Sequence, residues 1–165
     1  VIGYYLDPYS IYTKKLDQSG ELLTHNKDKS VLVFLNLREL METDFYELEE
    51  DAKLGDVVGL ISKVRRNIFP VVGQEGVLMG IVQLDDLRAD MFSPDKYDTP
   101  IDRYMIPAPD TILPNEQVQS VLDKFEESKA WMLPVIDKDM RYLGFISKSR
   151  ILDAYRQQLL EISES

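Results

Sequence analysis

The sequence predicts an α+β fold made of two copies of one β-α-β-β-α unit. The first observation is an apolar strand pattern with a central proline at 68–72, which returns 64 residues later at 132–136. The second is a glycine ten residues after each proline, Gly80 and Gly144, which opens a further apolar stretch. The third is an amphipathic helical pattern that precedes each proline strand. A shared register in all three features indicates an internal duplication.

Composition is that of an acidic, globular chain. It has 165 residues, a formal net charge of −10 and 44% apolar residues, which suits one domain or two small ones. The negative charge opposes binding to nucleic acid or anionic lipid, because long-range repulsion would have to be overcome locally. No run approaches the ~20 apolar residues that cross a bilayer, so we expect no membrane insertion of this segment. The absence of cysteine excludes disulfides and thiolate metal sites.

Residues 1–30 differ from the rest of the chain and are predicted to form a linker. Four of the nine tyrosines lie within the first twelve residues, and Lys14 and Lys15 follow them. Tyrosine is enriched where a chain leaves a membrane, and lysines favour the cytoplasmic side. A tyrosine-rich arm that packs on the domain explains this composition equally well. The chain begins at Val1 without a methionine, so we expect it to be part of a longer protein.

The first repeat is predicted over 31–93. Residues 31–41 fit a helix capped by Ser30, although 31–35 fit a strand equally well. A short strand over 44–49 is expected to bury Phe45. The remaining elements are a helix at 54–64, a strand at 68–72, a turn at 73–76, a strand at 77–82 and a helix from 84 to about 91.

The second repeat is predicted over 94–165 and follows the same order. Residues 93–96 break the chain and serve as the linker between the repeats. The elements are a helix at 116–128, a strand at 131–136, a turn at 137–139, a strand at 142–146 and a helix at 149–162. The apolar residues in the last turns of the final helix extend its apolar seam beyond the repeat.

The duplicated unit, with its proline strand before a turn and its glycine strand after it, resembles a pair of CBS domains over about 37–155. The resemblance implies two repeats that pack face to face through their sheets as a pseudo-two-fold pair. It also implies that pairs dimerise and that clefts between the repeats bind adenine nucleotides. We therefore expect a homodimer with ATP, ADP or AMP as a regulatory ligand and with no required cofactor.

Residues 7–16, which read DPYSIYTKKL and run into GELL at 20–23, carry a second resemblance. They are similar to the segment after the last membrane helix of prokaryotic ClC chloride channels and proton/chloride antiporters. This resemblance implies a regulatory domain at the cytoplasmic face of the cell membrane, in contact with its own transmembrane ClC domain. Two alternatives stay open: a ligand-free structural dimerisation module, and the CBS pair of another host, such as a magnesium or cobalt efflux protein or a nucleotide-regulated enzyme.

Nucleotide-binding CBS repeats often carry G-h-h-[S/T]-x-x-D-h, in which the aspartate accepts the ribose hydroxyls and the serine or threonine contacts phosphate or ribose. This chain divides the motif between its halves. The first repeat has Asp86 but Gln83 at the serine position, and the second has Ser147 but Arg150 at the aspartate position. The resemblance implies that Asp86 is a ribose ligand and that Arg150 holds a phosphate in the second cleft. An acidic residue in a first helical turn and a surface arginine explain them equally simply.

The same resemblance implies an adenine pocket beside Asp86. It is expected to be formed by Thr43, Asp44, Phe45 and Ile68. Relatives of the ClC type place an aromatic ring four residues before the proline, where this chain has Arg66 and Ala130. The departures at these positions weaken the case for an ATP site of the usual kind.

No pattern of an enzyme is present. The chain has no cysteine and one histidine, and it lacks H-E-x-x-H and the glycine-rich phosphate loop of the Walker type. Its carboxylates are spread along predicted helix faces and loops. We therefore expect a binding or interaction module without catalytic activity.

Overall fold

The structure is a computed structural model that describes residues 35–164. The linker predicted over 1–30 and the start of the helix or strand predicted from Val31 lie outside the described residues. Of the helix predicted over 31–41, the described part contains a helix at Leu37–Leu40. One compact unit contains 37–116 and 121–151, and with them the strands of both repeats. Among the described residues, 35–36, 117–120 and 152–164 belong to a second unit. Within the described residues, no helix combines the length and apolar character that a bilayer crossing requires.

The first repeat contains a three-stranded sheet and three helices. Its elements are α1 (Leu37–Leu40), β1 (Leu48–Glu49), α2 (Leu54–Ile61), β2 (Ile68–Val72), β3 (Leu78–Gln83) and α3 (Leu84–Leu87). Strand β1 pairs with β2 in parallel, and β2 pairs with β3 in antiparallel orientation. The predicted order is confirmed, and Phe45 is buried as predicted. Helix α3 is shorter than the predicted 84–91, because residues 88–92 form turns that the Tyr97 hydroxyl ties down by donating to the Met91 carbonyl (2.8 Å).

The second repeat has the same order of elements. It contains α4 (Val118–Ser128), β4 (Met132–Ile136), β5 (Tyr142–Ser147) and α5 (Lys148–Glu164). The pair Val135↔Gly144 in β4–β5 corresponds to Val71↔Gly80 in β2–β3, and both strand pairs shift register at the next residue. A single parallel bridge at Ile112 stands where the first repeat has β1. The two strand pairs therefore share one geometry at the 64-residue offset, which confirms the α+β fold of two repeats.

The apolar core of the first repeat is completed by chain that follows it. This cluster consists of Leu48, Leu54, Val57, Phe69, Val71, Val82, Leu87 and Ile101. The backbone N–H groups of Leu54 and Gly55 donate to the carbonyls of Thr99 and Tyr97, both at 2.9 Å. A boundary between 93 and 94 assigns Ile101 to the second repeat, whereas its side chain packs into the first. The segment after 93 thus acts as part of the first repeat's core, because it covers α2 and supplies an apolar side chain.

Two backbone crossings join the repeats at their sheets, and the Leu78 N–H also donates to the Met140 carbonyl of the second repeat (3.0 Å). Glu42 and Phe145 exchange main-chain hydrogen bonds of 2.7 and 2.9 Å, and Ile106 and Ile81 exchange two of 2.9 Å. Each crossing passes over a glycine. A Cβ on Gly80 would lie 2.7 Å from the Ile106 carbonyl oxygen, and one on Gly144 would lie 2.7 Å from that of Glu42. Glycine is therefore required at both crossings by the close approach of two backbones.

We expect Gly80→Ala to lower the free energy of unfolding by about 1–3 kcal/mol, as overpacking does in a core. The added methyl group meets backbone that is held by two hydrogen bonds and cannot move aside cheaply. Gly59→Ala is the matched control, because a Cβ there meets nothing within 4 Å in the middle of α2. That variant should gain ~0.5–1 kcal/mol from helix propensity. Urea unfolding measures both, and equal stability of the two variants would contradict the crossing geometry.

Candidate functional site

A cleft lies between the repeats, and the 64-residue offset defines an equivalent region on the other side of the pair. The Gln83 cleft encloses a cavity of about 380 Å³. Its walls from the first repeat are Asn67, Ile68, Ile81, Gln83 and Asp85, and its walls from the second are Pro109 and residues 128–132. The Ser147 cleft is defined by the equivalent positions Phe45, Arg66, Phe145 and Ser147.

Two turns shape the Gln83 cleft. At the end of β3, the backbone N–H of Leu84 donates to the Asn67 carbonyl (2.9 Å) and holds Gln83 at the cavity wall. At the end of α4, Lys129 adopts a left-handed conformation (φ 60°) and its N–H donates to the Phe125 carbonyl (3.1 Å). This is a common way to end a helix. The reversal at Lys129 directs the next residues, Ala130 and Trp131, into the cleft wall.

The chemistry of the Gln83 cleft combines apolar and polar groups. Ile68, Ile81 and Met132 supply an apolar wall, while Gln83 and Asp85 supply an amide and a carboxylate. Trp131 is 75% exposed, with the Lys148 ammonium 5.4 Å from its ring centroid. An apolar surface with a few convergent polar groups is typical of small-molecule sites.

The Ser147 cleft is occupied by its own side chains. The Arg66 guanidinium lies 4.2 Å above the Phe45 ring centroid, and that ring packs against Phe145 at 4.5 Å. Arg66 also donates to Glu42 (2.7 Å) and to Asp44 (2.5 Å). The Glu42 side chain is 16% exposed, and a carboxylate so largely buried needs a cation beside it. The ion pairs, the ring stack and the guanidinium form one connected network.

Electrostatics in the Ser147 cleft follow from this network. The hydrogen bond from Arg66 holds the pKa of the Asp44 carboxyl below its ordinary value. Burial raises the pKa of Tyr142, with a smaller contribution from the carboxylate of Glu47. The Tyr142 hydroxyl is buried and has no hydrogen-bond partner among residues 35–164. Its ring packs edge-on against Phe145 at 5.7 Å.

The structure keeps two of the predicted pocket residues together, since Phe45 and Ile68 share one apolar cluster with Ile81 and Phe145, but Thr43, Asp44 and Phe45 do not line the cavity beside Asp85. The prediction placed Thr43, Asp44 and Phe45 with Asp86 around one nucleotide. The first crossing instead carries residues 42–45 to β5 of the second repeat, where Phe45 stacks on Phe145. The correction has a plain cause: the segment that precedes the first strand of each repeat bridges to the other repeat, at Glu42 and at Ile106, so that 106–109, and not 42–45, approach β3.

The remaining predicted residues are distributed over both clefts. Ile68 and Gln83 line the Gln83 cleft as part of its cavity, together with Asp85; Asp86 is exposed on the following position of α3. Ser147 accepts a hydrogen bond from the Arg150 N–H (3.1 Å), so its hydroxyl caps α5. The Arg150 guanidinium lies 3.9 Å from Glu42. A carboxylate so close to Arg150 opposes the predicted phosphate role.

Sequence reasoning missed the wall that the second repeat contributes to the Gln83 cleft. Pro109, Lys129, Trp131 and Met132 line the cavity but were not proposed as site residues. The 64-residue offset could have pointed to this wall, because Pro109 is the equivalent of Phe45, which was predicted as a site residue, and Lys129 is the equivalent of Arg65. That signal identifies equivalent positions but not the repeat against which each one packs.

The Asp44–Arg66 ion pair predicts a pH-dependent effect of Asp44→Asn. Because the folded-state pKa of Asp44 is lowered, the pair stabilises the fold above the unfolded pKa of about 3.9 and loses this effect as the pH falls through the folded pKa. The variant should unfold at lower urea concentration than wild type at neutral pH, and the difference should shrink steadily below about pH 4. Asp51→Asn, at an exposed aspartate of the same repeat, is the control. A difference that is constant with pH would contradict the assignment.

Comparison with known proteins identifies the family. The CBS domain family model matches residues 37–92 and 101–157, which are the two repeats described above. An uncharacterized protein of Methanocaldococcus jannaschii is 27% identical over 114 residues, which are 68% of this chain and 52% of that protein. Its crystal structure matches with a TM-score of 0.65 at 25% identity, over 74% of this chain and 60% of the other. The chain thus spans about half the length of this curated relative.

Two further solved structures share the fold. The CBS domain of a bacterial CNNM/CorC family Mg²⁺ transporter in complex with ATP matches with a TM-score of 0.65 at 20% identity, over 77% of this chain and 91% of that one. CBSX2 in complex with AMP matches with a TM-score of 0.61 at 19% identity, over 74% and 96%. With a family match over both repeats and the same fold in these structures, the chain belongs to the CBS domain family as a tandem pair.

Proposed function

We propose that this CBS pair is a regulatory, non-catalytic module that binds an adenine nucleotide in the Gln83 cleft. The observation that carries the proposal is the cavity of about 380 Å³ whose walls come from both repeats and combine an apolar surface with an amide and a carboxylate. Solved relatives in complex with ATP and with AMP support the choice of ligand.

The walls suggest how a nucleotide would lie. An adenine ring fits the apolar surface of Ile68 and Met132, with Trp131 at its edge. The ribose would meet α3, where Asp85 lines the cavity and Asp86 is the candidate from the family motif. Adjacent helical side chains point about 100° apart, so the ribose hydroxyls would use one of these two carboxylates. Lys129, in the cavity wall, and Lys148, beside the Trp131 ring, are cations available to a phosphate.

A ligand in this cleft has a direct route to regulation. Its contacts on one side belong to the first repeat, at Ile68 and Gln83, and on the other side to the second, at Pro109 and Trp131. It therefore binds best at one separation of these walls and favours that arrangement by its differential affinity. A partner that contacts both repeats would sense the change as a coupling free energy.

We further propose that the host is a ClC-type chloride channel or proton/chloride antiporter, with the pair at the cytoplasmic face of the membrane and acting as a homodimer. The support is the resemblance carried by residues 7–16. The Mg²⁺ transporter among the solved relatives keeps a metal-ion transporter as the alternative host.

The nucleotide proposal predicts saturable binding of ATP, ADP or AMP in calorimetry, at micromolar to low-millimolar concentration. Trp131, the only tryptophan of the chain, should report the same event by a change in fluorescence. Ala130→Arg should abolish binding, because it fills the cavity with the side chain that stands at the equivalent position of the other cleft. Ala89→Arg adds the same charge at an exposed position outside the cavity wall and should bind as wild type does.

Single substitutions identify the ribose ligand. Loss of one charge-assisted hydrogen bond should weaken binding about tenfold or more, in Asp85→Ala or in Asp86→Ala but not equally in both. If millimolar nucleotide produces no heat of binding and no fluorescence change, the nucleotide proposal is overturned. The pair would then be a ligand-free dimerisation module.

The host proposal predicts chloride efflux from liposomes that contain the full-length protein. The reading frame upstream of Val1 should encode several spans of ~20 apolar residues. Added nucleotide should change the efflux rate, and Ala130→Arg in the full-length protein should remove that response while basal efflux continues. Full-length protein that conducts no chloride would contradict the ClC assignment whatever the isolated pair binds.

A further inference from the structure

The two clefts correspond position by position, yet their side chains differ in size and charge, and three of these differences concern Arg66 and two side chains that it contacts. Where the Gln83 cleft has Pro109, Ala130 and Ile106, the Ser147 cleft has Phe45, Arg66 and Glu42. At each of these three positions, the Ser147 cleft has the bulkier side chain, the charged side chain, or both. The duplication therefore supplied two equal frameworks, and the substitutions made them unequal.

Arg66 is the residue that connects these differences. Its guanidinium covers the Phe45 ring at 4.2 Å and donates to Glu42 and Asp44. The Phe45 ring in turn lies on Phe145, which corresponds to the cavity-lining Ile81. Ring and guanidinium thus lie over the strand face that in the other cleft borders the cavity.

The network is held from more than one side. The Arg66 side chain is 26% exposed, and the Glu42 side chain that it binds is 16% exposed. The second Glu42 oxygen lies 3.9 Å from the Arg150 guanidinium. Charge-assisted hydrogen bonds at a largely buried carboxylate are among the strong ones, and cation–π contact adds to them. Displacing Arg66 would leave Glu42 with the more distant Arg150 as its cation.

We propose that Arg66 closes the Ser147 cleft, so that the pair takes one ligand per chain, in the Gln83 cleft. The stoichiometry rests on the proposed function, whereas the closure is a property of the protein without ligand. The carboxylates of Glu42 and Asp44 also disfavour a nucleotide in the Ser147 cleft relative to the Gln83 cleft. An anionic nucleotide that displaced Arg66 would put a negative charge where a cation now lies beside these two carboxylates. Arg66 is in this sense the specificity-determining residue of the pair.

The closure is tested with single cysteines, since the chain has none of its own. Phe145 and Ser147 lie on the same face of β5 by strand alternation, so Ser147→Cys places a thiol in the closed cleft. Gln83→Cys places one at the equivalent position of the open cleft. The measurement is the rate of alkylation of each thiol by a bulky neutral maleimide in the folded protein.

Arg66→Ala should accelerate alkylation of Ser147→Cys by about tenfold or more, as expected for the loss of a charge-assisted hydrogen bond that holds the closed state. It should leave Gln83→Cys unchanged. Loss of the nearby guanidinium charge disfavours the thiolate, which is the reactive form, and by itself would slow alkylation. A faster reaction therefore reports better access of the maleimide to the thiol. Arg65→Ala removes the same charge at the exposed neighbouring position and should change neither rate. If Ser147→Cys is alkylated at the same rate with and without Arg66→Ala, the proposed closure is overturned.

Asp44→Asn provides a second variant in which Arg66 and its bond to Glu42 remain, should Arg66→Ala not fold. It should accelerate alkylation of Ser147→Cys in the same direction but less, and an unchanged rate would overturn the closure. Calorimetry of wild type decides the stoichiometry. Two nucleotides per chain would overturn this inference and leave the nucleotide proposal standing. No binding would overturn the nucleotide proposal, while the thiol rates would still decide whether Arg66 closes the cleft.

Discussion

The pair depends on two places where the backbone of one repeat crosses to the sheet of the other. Glu42 bonds to Phe145 and Ile106 to Ile81 through main-chain groups at 2.7–2.9 Å. These bonds satisfy strand-edge N–H and C=O groups that would otherwise need other partners. Because the partners come from the opposite repeat in both cases, each sheet is completed by the other half of the chain, and the clefts are products of the pair.

The crossings also decide which side chains meet. They place residues 42–45 beside β5 and residues 106–109 beside β3, so each cleft has walls from both repeats. With equal backbone geometry, the contents of the clefts follow from side chains. Glu42 is largely buried and requires Arg66, whereas Ile106 at the equivalent position requires no cation. The charged network on one side and the cavity on the other thus follow from a few substitutions in a duplicated framework.

Much of the fold was predictable because its signals are local. The proline strands and the glycines after them mark the strand pairs, and the 3.6-residue periodicity marks α2 and α4. The grouping of the site was not predictable in the same way. Gly80 and Gly144 mark where a second backbone approaches, but the main-chain hydrogen bonds of the crossings leave no side-chain pattern that identifies the approaching segment, so Phe45 was placed with Asp86 although it stacks on Phe145. The end of α3 was missed for a related reason, since a contact with Tyr97, six residues beyond Met91, shapes the turns there.

Asymmetry between the clefts gives a physical basis for one-sided control. On the Ser147 side, the Phe45–Phe145 stack and the Glu42–Arg150 contact bridge the repeats and hold their walls together without a ligand. On the Gln83 side a cavity separates the walls, and a bound molecule would supply the missing contacts. A ligand that touched one repeat would have equal affinity for all arrangements of the pair and would shift none of them. The Gln83 cleft can couple binding to arrangement because Ile68 and Trp131, from different repeats, border the same space.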